Sequence, residues 1–148
     1  MNVSRETIYA ALFSLVSGSA SFATTSRKLR HWSDVGAEEQ PALFQQQLDE
    51  DIAQSRGTPA NITLHAQLYI YVTTASQQTA PDVVPSQLIN PLIDAVDSAL
   101  AGDDIANFVQ TLGGLVSHCW IEGKIETYEG LLGDQAVAII PVAILVPA

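Results

Sequence analysis

Ser117-His-Cys-Trp-Ile-Glu-Gly-Lys-Ile-Glu-Thr-Tyr128 and Ala136-Val-Ala-Ile-Ile-Pro-Val-Ala-Ile-Leu-Val146 decide how this chain folds. The first stretch alternates apolar and polar residues. Cys119, Ile121 and Ile125 share one side; Trp120, Glu122, Lys124 and Glu126 share the other. That period of two predicts a strand with one wet face. The second stretch is apolar on both sides, which predicts a strand covered on both faces. Gly130 to Gly133 supplies a turn between them, and Thr111-Leu-Gly-Gly-Leu115 a turn before them.

Upstream, Asn61 to Thr73 shows the clearest alternation in the chain. Ile62, Leu64, Ala66, Leu68, Ile70 and Val72 occupy one face, and Thr63, His65, Gln67, Tyr69 and Tyr71 the other. Pro41 to Leu48 predicts a second strand that opens on a proline, where a missing donor is tolerated. Phe22 to Arg30, rich in Thr and Ser, predicts a third strand with Arg27 and Leu29 on one face. His31 to Gln40, Asp49 to Ala60 and Ser76 to Pro85 are polar and carry glycine or proline, so they predict loops.

Two segments carry helical spacing. Ser4 can cap a helix over Arg5 to Ser17, in which Ile8, Leu12, Leu15 and Val16 form the apolar stripe before Gly18 ends it. Asn90-Pro91 predicts a second helix start, with Leu92, Ile93, Val96, Ala99 and Leu100 as its stripe and Gly102 as its stop. Pro91 argues against an unbroken helix from residue 86. Helix, three strands, helix and two strands predict an α+β fold: a mostly antiparallel sheet of about five strands flanked by two main helices. At 148 residues without repeat or linker, positions 1–148 predict a single domain.

The net charge is −10, from 16 acids against 6 bases. Phosphate binding as a main activity is therefore disfavoured, while such a surface repels DNA passing nearby. The bases cluster: Arg27, Lys28 and Arg30 precede His31 and Trp32. Acids cluster at Asp49-Glu50-Asp51 and at Asp103-Asp104. This asymmetry suits a charge-complementary partner or a neighbouring copy of the chain, or else a solvated surface. The single cysteine excludes a disulfide within the chain. Ala136 to Val146 is too short to span a bilayer. Ile8 to Val16 followed by Ser-Gly-Ser-Ala-Ser resembles a secretory leader, but Arg5 is offset by Glu6.

Catalytic motifs fail one by one. A phosphate-binding loop ending at Gly123-Lys124 needs glycine at 118 and Ser or Thr at 125, where the chain has His118 and Ile125. Gly113-Gly114 lacks dinucleotide-binding spacing. A Cys119 nucleophile needs a base, and His118, its strand neighbour, points to the opposite face. The three histidines and one cysteine have no metal-ligand spacing. Glu122 and Glu126 could form a carboxylate pair, but with Lys124 between them they read as a charged strand surface. The sequence therefore predicts no catalytic, metal or cofactor site and no enzyme activity. Candidate interface residues are Arg27, Lys28, Arg30, His31, Trp32, Asp49, Glu50, Asp51, Tyr69, Tyr71, Trp120, Glu122 and Lys124. Tyr69 and Tyr71 could serve a binding surface or cover a second packing layer.

The order and spacing of several segments resemble the tail terminator (tail completion, minor tail) proteins of long-tailed bacteriophages. The segments are Arg5-Glu-Thr-Ile-Tyr-Ala-Ala-Leu-Phe, Thr25-Ser-Arg-Lys-Leu-Arg-His-Trp, Pro41-Ala-Leu-Phe, Leu68-Tyr-Ile-Tyr71 and Leu88-Ile-Asn-Pro-Leu-Ile-Asp-Ala-Val96. Thr111-Leu-Gly-Gly, His118-Cys-Trp-Ile-Glu-Gly and Gly133-Asp-Gln-Ala-Val-Ala-Ile-Ile-Pro-Val complete the set. The resemblance implies a small α+β domain that forms a homo-hexameric ring on the head-proximal end of the tail tube. It implies as partners the tail tube protein and the head-completion or neck proteins, with DNA passing through the lumen unread and no membrane involved. The place implied is the virion neck, after synthesis in the host cytoplasm. A head-completion (stopper) or neck protein, a small cysteine hydrolase using Cys119 and a secreted binding module are the competing expectations.

Overall fold

A computed structural model describes residues 2–74, 82–132 and 134–147. Helix α1 spans Arg5–Ser17, and the Ser4 hydroxyl accepts from the Thr7 backbone N–H at 3.1 Å. That bond satisfies one of the donors left over at a helix start. Ile8, Tyr9, Leu12 and Val16 point into the core and are fully buried.

The sheet has six strands in the order β1-β2-β3-β6-β4, with β5 also on β6. They are β1 Thr24–Ser26, β2 Ala42–Ala53, β3 Asn61–Thr73, β4 His118–Ile121, β5 Glu126–Leu132 and β6 Gln135–Val146. Among the described residues only β1 and β2 run parallel; every other pairing is antiparallel. The α+β architecture thus matches its sequence expectation.

Even-numbered residues of β3 and β6, with Leu43 and Cys119, pack against α1 and helix α2, Pro85–Ala99, in the main core. The opposite face carries a smaller cluster of Val35, Ala42, Phe44, Tyr71 and Val137, flanked by Trp32, Tyr69 and Ile139. Both helices therefore lie on one side of the sheet. The main-core face of β6 is fully covered, whereas Ile139, Pro141 and Leu145 on its other face are only half-buried.

Several boundaries differ from the sequence expectation. The 117–128 strand is broken: β4 pairs with 142–145 of β6, β5 pairs with 135–139, and residues 122–125 connect them. Pro141 explains the break. Its carbonyl accepts from the Glu122 N–H at 3.1 Å, so the side of Pro141 that lacks a donor faces the β4–β5 line. A proline cannot donate to that ladder, and Gly123 at φ +98° turns the chain away beside its ring. The β3 side of β6 pairs continuously from Gln135 to Val146. Gly130 lies within β5, not in a turn, and Gly133 falls outside the described residues.

Strand β2 runs to Ala53, so Asp49, Glu50 and Asp51 belong to a strand and not to a loop. Beyond β1, which covers only Ala42 to Phe44, the outer half of β2 is a free edge among the described residues. Charge is what keeps such an edge from pairing with another chain, and a register shift between Gln47 and Glu50 distorts it further. The expected strand over Phe22 to Arg30 shrinks to β1, because the chain then leaves the sheet to cross its helix-free face. The 31–40 loop contains two short 3₁₀ turns, Trp32–Asp34 and Ala37–Glu39.

Helix α2 starts at Pro85 and passes through Pro91 unbroken. Pro91 and Gln87, whose carbonyl loses its partner, both lie on the exposed side, where water can replace the bond. An interior proline costs about 3 kcal/mol. Burying Ile89 and Val96, each fully covered, returns about 1.5–3 kcal/mol apiece. Most of the expected loop before this helix, residues 76–81, lies outside the described residues.

Candidate functional site

The helix-free face of the sheet holds a cleft of about 480 Å³. Its floor is Tyr69 and Tyr71 of β3, Val137 and Ile139 of β6 and Tyr128 of β5; its wall is Leu29, Arg30, His31 and Trp32. Register explains the floor. Tyr71 pairs with Val137, Tyr69 with Ile139 and Tyr128 with Val137, so all five share one sheet face.

The wall is braced from inside the chain. Arg30 grips the Glu39 carboxylate with two N–H groups at 3.0 and 2.9 Å and also donates to the Asp34 carbonyl. Such a two-pronged pair fixes geometry as well as charge. Glu39 additionally accepts from the Gly36 N–H at 2.9 Å, and the Gln40 amide donates to the Val35 carbonyl at 3.1 Å. The Tyr71 hydroxyl donates to the Arg30 carbonyl at 2.7 Å, tying wall to floor. Burial pushes the Tyr71 phenol up to about 12. Its ring lies 5.4 Å from that of Phe44, and the His31 and Trp32 rings are 5.2 Å apart.

The other phenols are occupied as well. Tyr69 donates to Gln67 or Gln46, at 2.8 and 3.0 Å, and Tyr128 to Glu126 at 3.1 Å. Among the described lining residues there is no carboxylate and no thiol. The cleft is lined mostly by aromatic and aliphatic side chains, with the Arg30 guanidinium, paired with Glu39, and the His31 ring at its edge.

A second surface feature is apolar and protruding. Residues 104–109 form a tight hairpin in which Asp104 and Val109 exchange backbone hydrogen bonds at 2.9 and 3.1 Å. Asp104 also accepts from the Asn107 amide at 2.8 Å. The Asp103 carboxylate anchors the hairpin base, accepting from the Thr111 N–H and hydroxyl at 2.7 and 2.6 Å and from the Gly113 N–H at 3.1 Å. These bonds, the Thr111 hydroxyl first, hold Asp103 below its ordinary range. At the tip, Ile105 and Phe108 are each 82% exposed, and Phe108 sits at φ +55°.

The predicted interface residues divide. Arg30, His31, Trp32, Tyr69 and Tyr71 come together in the cleft from two distant segments. Arg27 pairs with Glu6, Glu50 with Arg5 and Asp51 with His65 at 2.9 Å. The basic run and the acidic run are thus engaged within the chain; Asp49 and Lys28 are exposed. Trp120 stacks on His118 with ring centroids 4.9 Å apart. It sits on the cleft's face at the level of Ala143, four residues along β6 from Ile139, or roughly 13 Å away at the usual strand rise. Glu122 and Lys124 are exposed in the β4–β5 connection.

Cys119 faces the helices, is fully buried, and burial pushes its thiol up to about 12, so it stays protonated at neutral pH. His118 instead accepts the Gln110 N–H at Nδ1, at 3.2 Å. Among the described residues no three His, Cys, Asp or Glu groups cluster to hold a metal, and no helix is long and apolar enough to cross a membrane.

Sequence reasoning missed Leu29, Tyr128, Val137 and Ile139 as cleft residues, and Ile105 and Phe108 altogether. Tyr128 was legible, since it continues the Trp120, Glu122, Lys124, Glu126 series. The hairpin's signal was two bulky apolar residues in a short polar segment after Gly102.

Among solved structures, the chain is similar to one described as "Virion of native gene transfer agent (GTA) particle". The identity is 15%, the match covers 95% of this chain and 92% of that one, and the TM-score is 0.48. No family model matches the chain. No curated protein matches it.

Proposed function

We propose that this chain is a structural virion protein of the tail-terminator type. Copies close into a six-membered ring on the head-proximal end of a phage tail tube, end its polymerisation and present a docking face to the head-completion proteins. The observation that carries the reading is the presence of two separate exposed apolar features on one chain. An aromatic cleft lies on the helix-free face, and an apolar hairpin tip projects from the loop that follows α2. Large exposed apolar features on a stable domain mark contact sites. The ordered resemblance of the sequence segments supplies the particular role.

Two further features support it. A ring of identical subunits needs two different patches on each chain. The acid excess of −10 lets DNA slide through a lumen without sticking. The basic run at Arg27 and Lys28 and the acidic edge of β2 remain candidate rim contacts, though Arg27 and Glu50 would have to exchange internal partners. Within the cleft wall, Arg30 acts as a brace.

The test is negative-stain imaging of the purified protein, alone and mixed with purified tail tubes. Rings capping one tube end support the proposal. Binding to portal or adaptor in place of the tube would make it a stopper. Tubes that stay bare and keep growing would refute it.

A further inference from the structure

We infer that the Ile105–Phe108 hairpin of one copy seats in the aromatic cleft of the next. This deepens the ring proposal and rests on it. The two features match in shape: a protruding pair of apolar side chains on one part of the molecule and an apolar concavity of about 480 Å³ on another. An exposed Phe is among the side chains with most area to gain from burial, and the cleft offers Trp32, Tyr69, Tyr71 and Tyr128 as ring partners.

They match in charge. The hairpin carries Asp103 and Asp104 at its base; the cleft wall carries Arg30, and exposed Lys28 directly precedes Leu29 of that wall. Among the described residues Lys28 has no ion-pair partner of its own. Opposite charges around an apolar centre favour one docking register and speed encounter.

They also cannot meet within one chain. The hairpin base, at Asp103, Gln110 and Leu112, borders Ala11, Ser14 and Leu15 of α1, which pack on the helix side of the sheet. The cleft is on the other side. A contact between two different patches is head-to-tail, and repeating it closes a ring or extends a filament.

The hairpin is prepared for this. Its backbone is fixed by paired Asp104–Val109 bonds and by Asp103, so little order is lost on docking.

Added-cysteine variants Ala106→Cys at the hairpin tip and Leu29→Cys at the cleft wall test the contact, because both leave Phe108 in place and buried Cys119 does not compete for thiol reagents. The two are mixed and treated with a short bis-maleimide, with and without purified tail tubes. The contact predicts a mixed cross-linked dimer well above either like-with-like dimer, and an oligomer ladder from the double variant. It also predicts that Phe108→Asp weakens self-association about thirtyfold in sedimentation, as expected for a central aromatic anchor, without changing the circular dichroism. A hairpin-to-hairpin product that dominates, or no mixed product under any condition, overturns it. Tube capping without the mixed product sinks this contact and leaves the terminator proposal standing. The mixed product without tube binding does the reverse.

Discussion

Gly102→Ala should loosen the 104–109 hairpin specifically. Gly102 sits at φ +131°, a conformation essentially confined to glycine. An added Cβ would also meet the Val109 carbonyl oxygen at 2.9 Å and its carbon at 3.3 Å. These are backbone atoms and cannot swing aside. The strain costs about 1–3 kcal/mol, and the overlap a further 1–3 or so. The stiffer unfolded chain returns about 0.4–1 kcal/mol, leaving a net cost near 3 kcal/mol. Releasing the two Asp104–Val109 backbone bonds costs about 1 kcal/mol each. Opening the hairpin is therefore cheaper than bearing the strain, and it caps the global loss at about 2 kcal/mol. For a chain of this size that lowers the melting temperature by about 4–8 °C. Amide hydrogen exchange should show Asp104 and Val109 losing protection while β3 and β6 keep theirs, and self-association should fall with them. A variant that melts within about 2 °C of the parent with both amides still protected would refute this account of the turn.

Three other outcomes follow from the same structure. Tyr71→Phe removes the donor to the Arg30 carbonyl and should cost about 1 kcal/mol in urea unfolding, with increased mobility of the cleft wall by NMR. Cys119→Ser places a hydroxyl in a fully buried apolar site and should destabilise by about 1–3 kcal/mol; the native thiol should react with a disulfide reagent only as the protein unfolds. Bonds from Arg27, Arg30 and Arg5 hold Glu6, Glu39 and Glu50 below their ordinary 4.5, and Thr111 holds Asp103 below 3.8. The folded state thus binds fewer protons than the unfolded one in acid. Thermal stability from these groups should be constant above about pH 5 and fall as pH drops through the depressed values, a loss that melts between pH 7 and 3 would record.

The sequence by itself determined the periodic elements. Ser4 and the Ile8, Leu12, Val16 spacing set α1 to the residue, and strict alternation set β3 from Asn61 to Thr73. Local chemistry governs these, because caps and faces depend on near neighbours. It also placed Tyr69, Tyr71 and Trp32 among the candidate contacts. Only the tertiary structure decided where Pro141 would split a strand that looked continuous, because that break is set by a residue on the neighbouring strand. Likewise the polar run from Asp49 looked like a loop; as far as Ala53 it is a strand because β3 supplies its partners and no full-length neighbour buries its far edge. The cleft joins residues from positions 29 to 139 through strand register, and Arg27 and Glu50 found partners on α1, not on a neighbouring copy. Contacts this distant in the chain leave no periodic trace, since each is fixed by how whole elements pack and not by the spacing of residues within them.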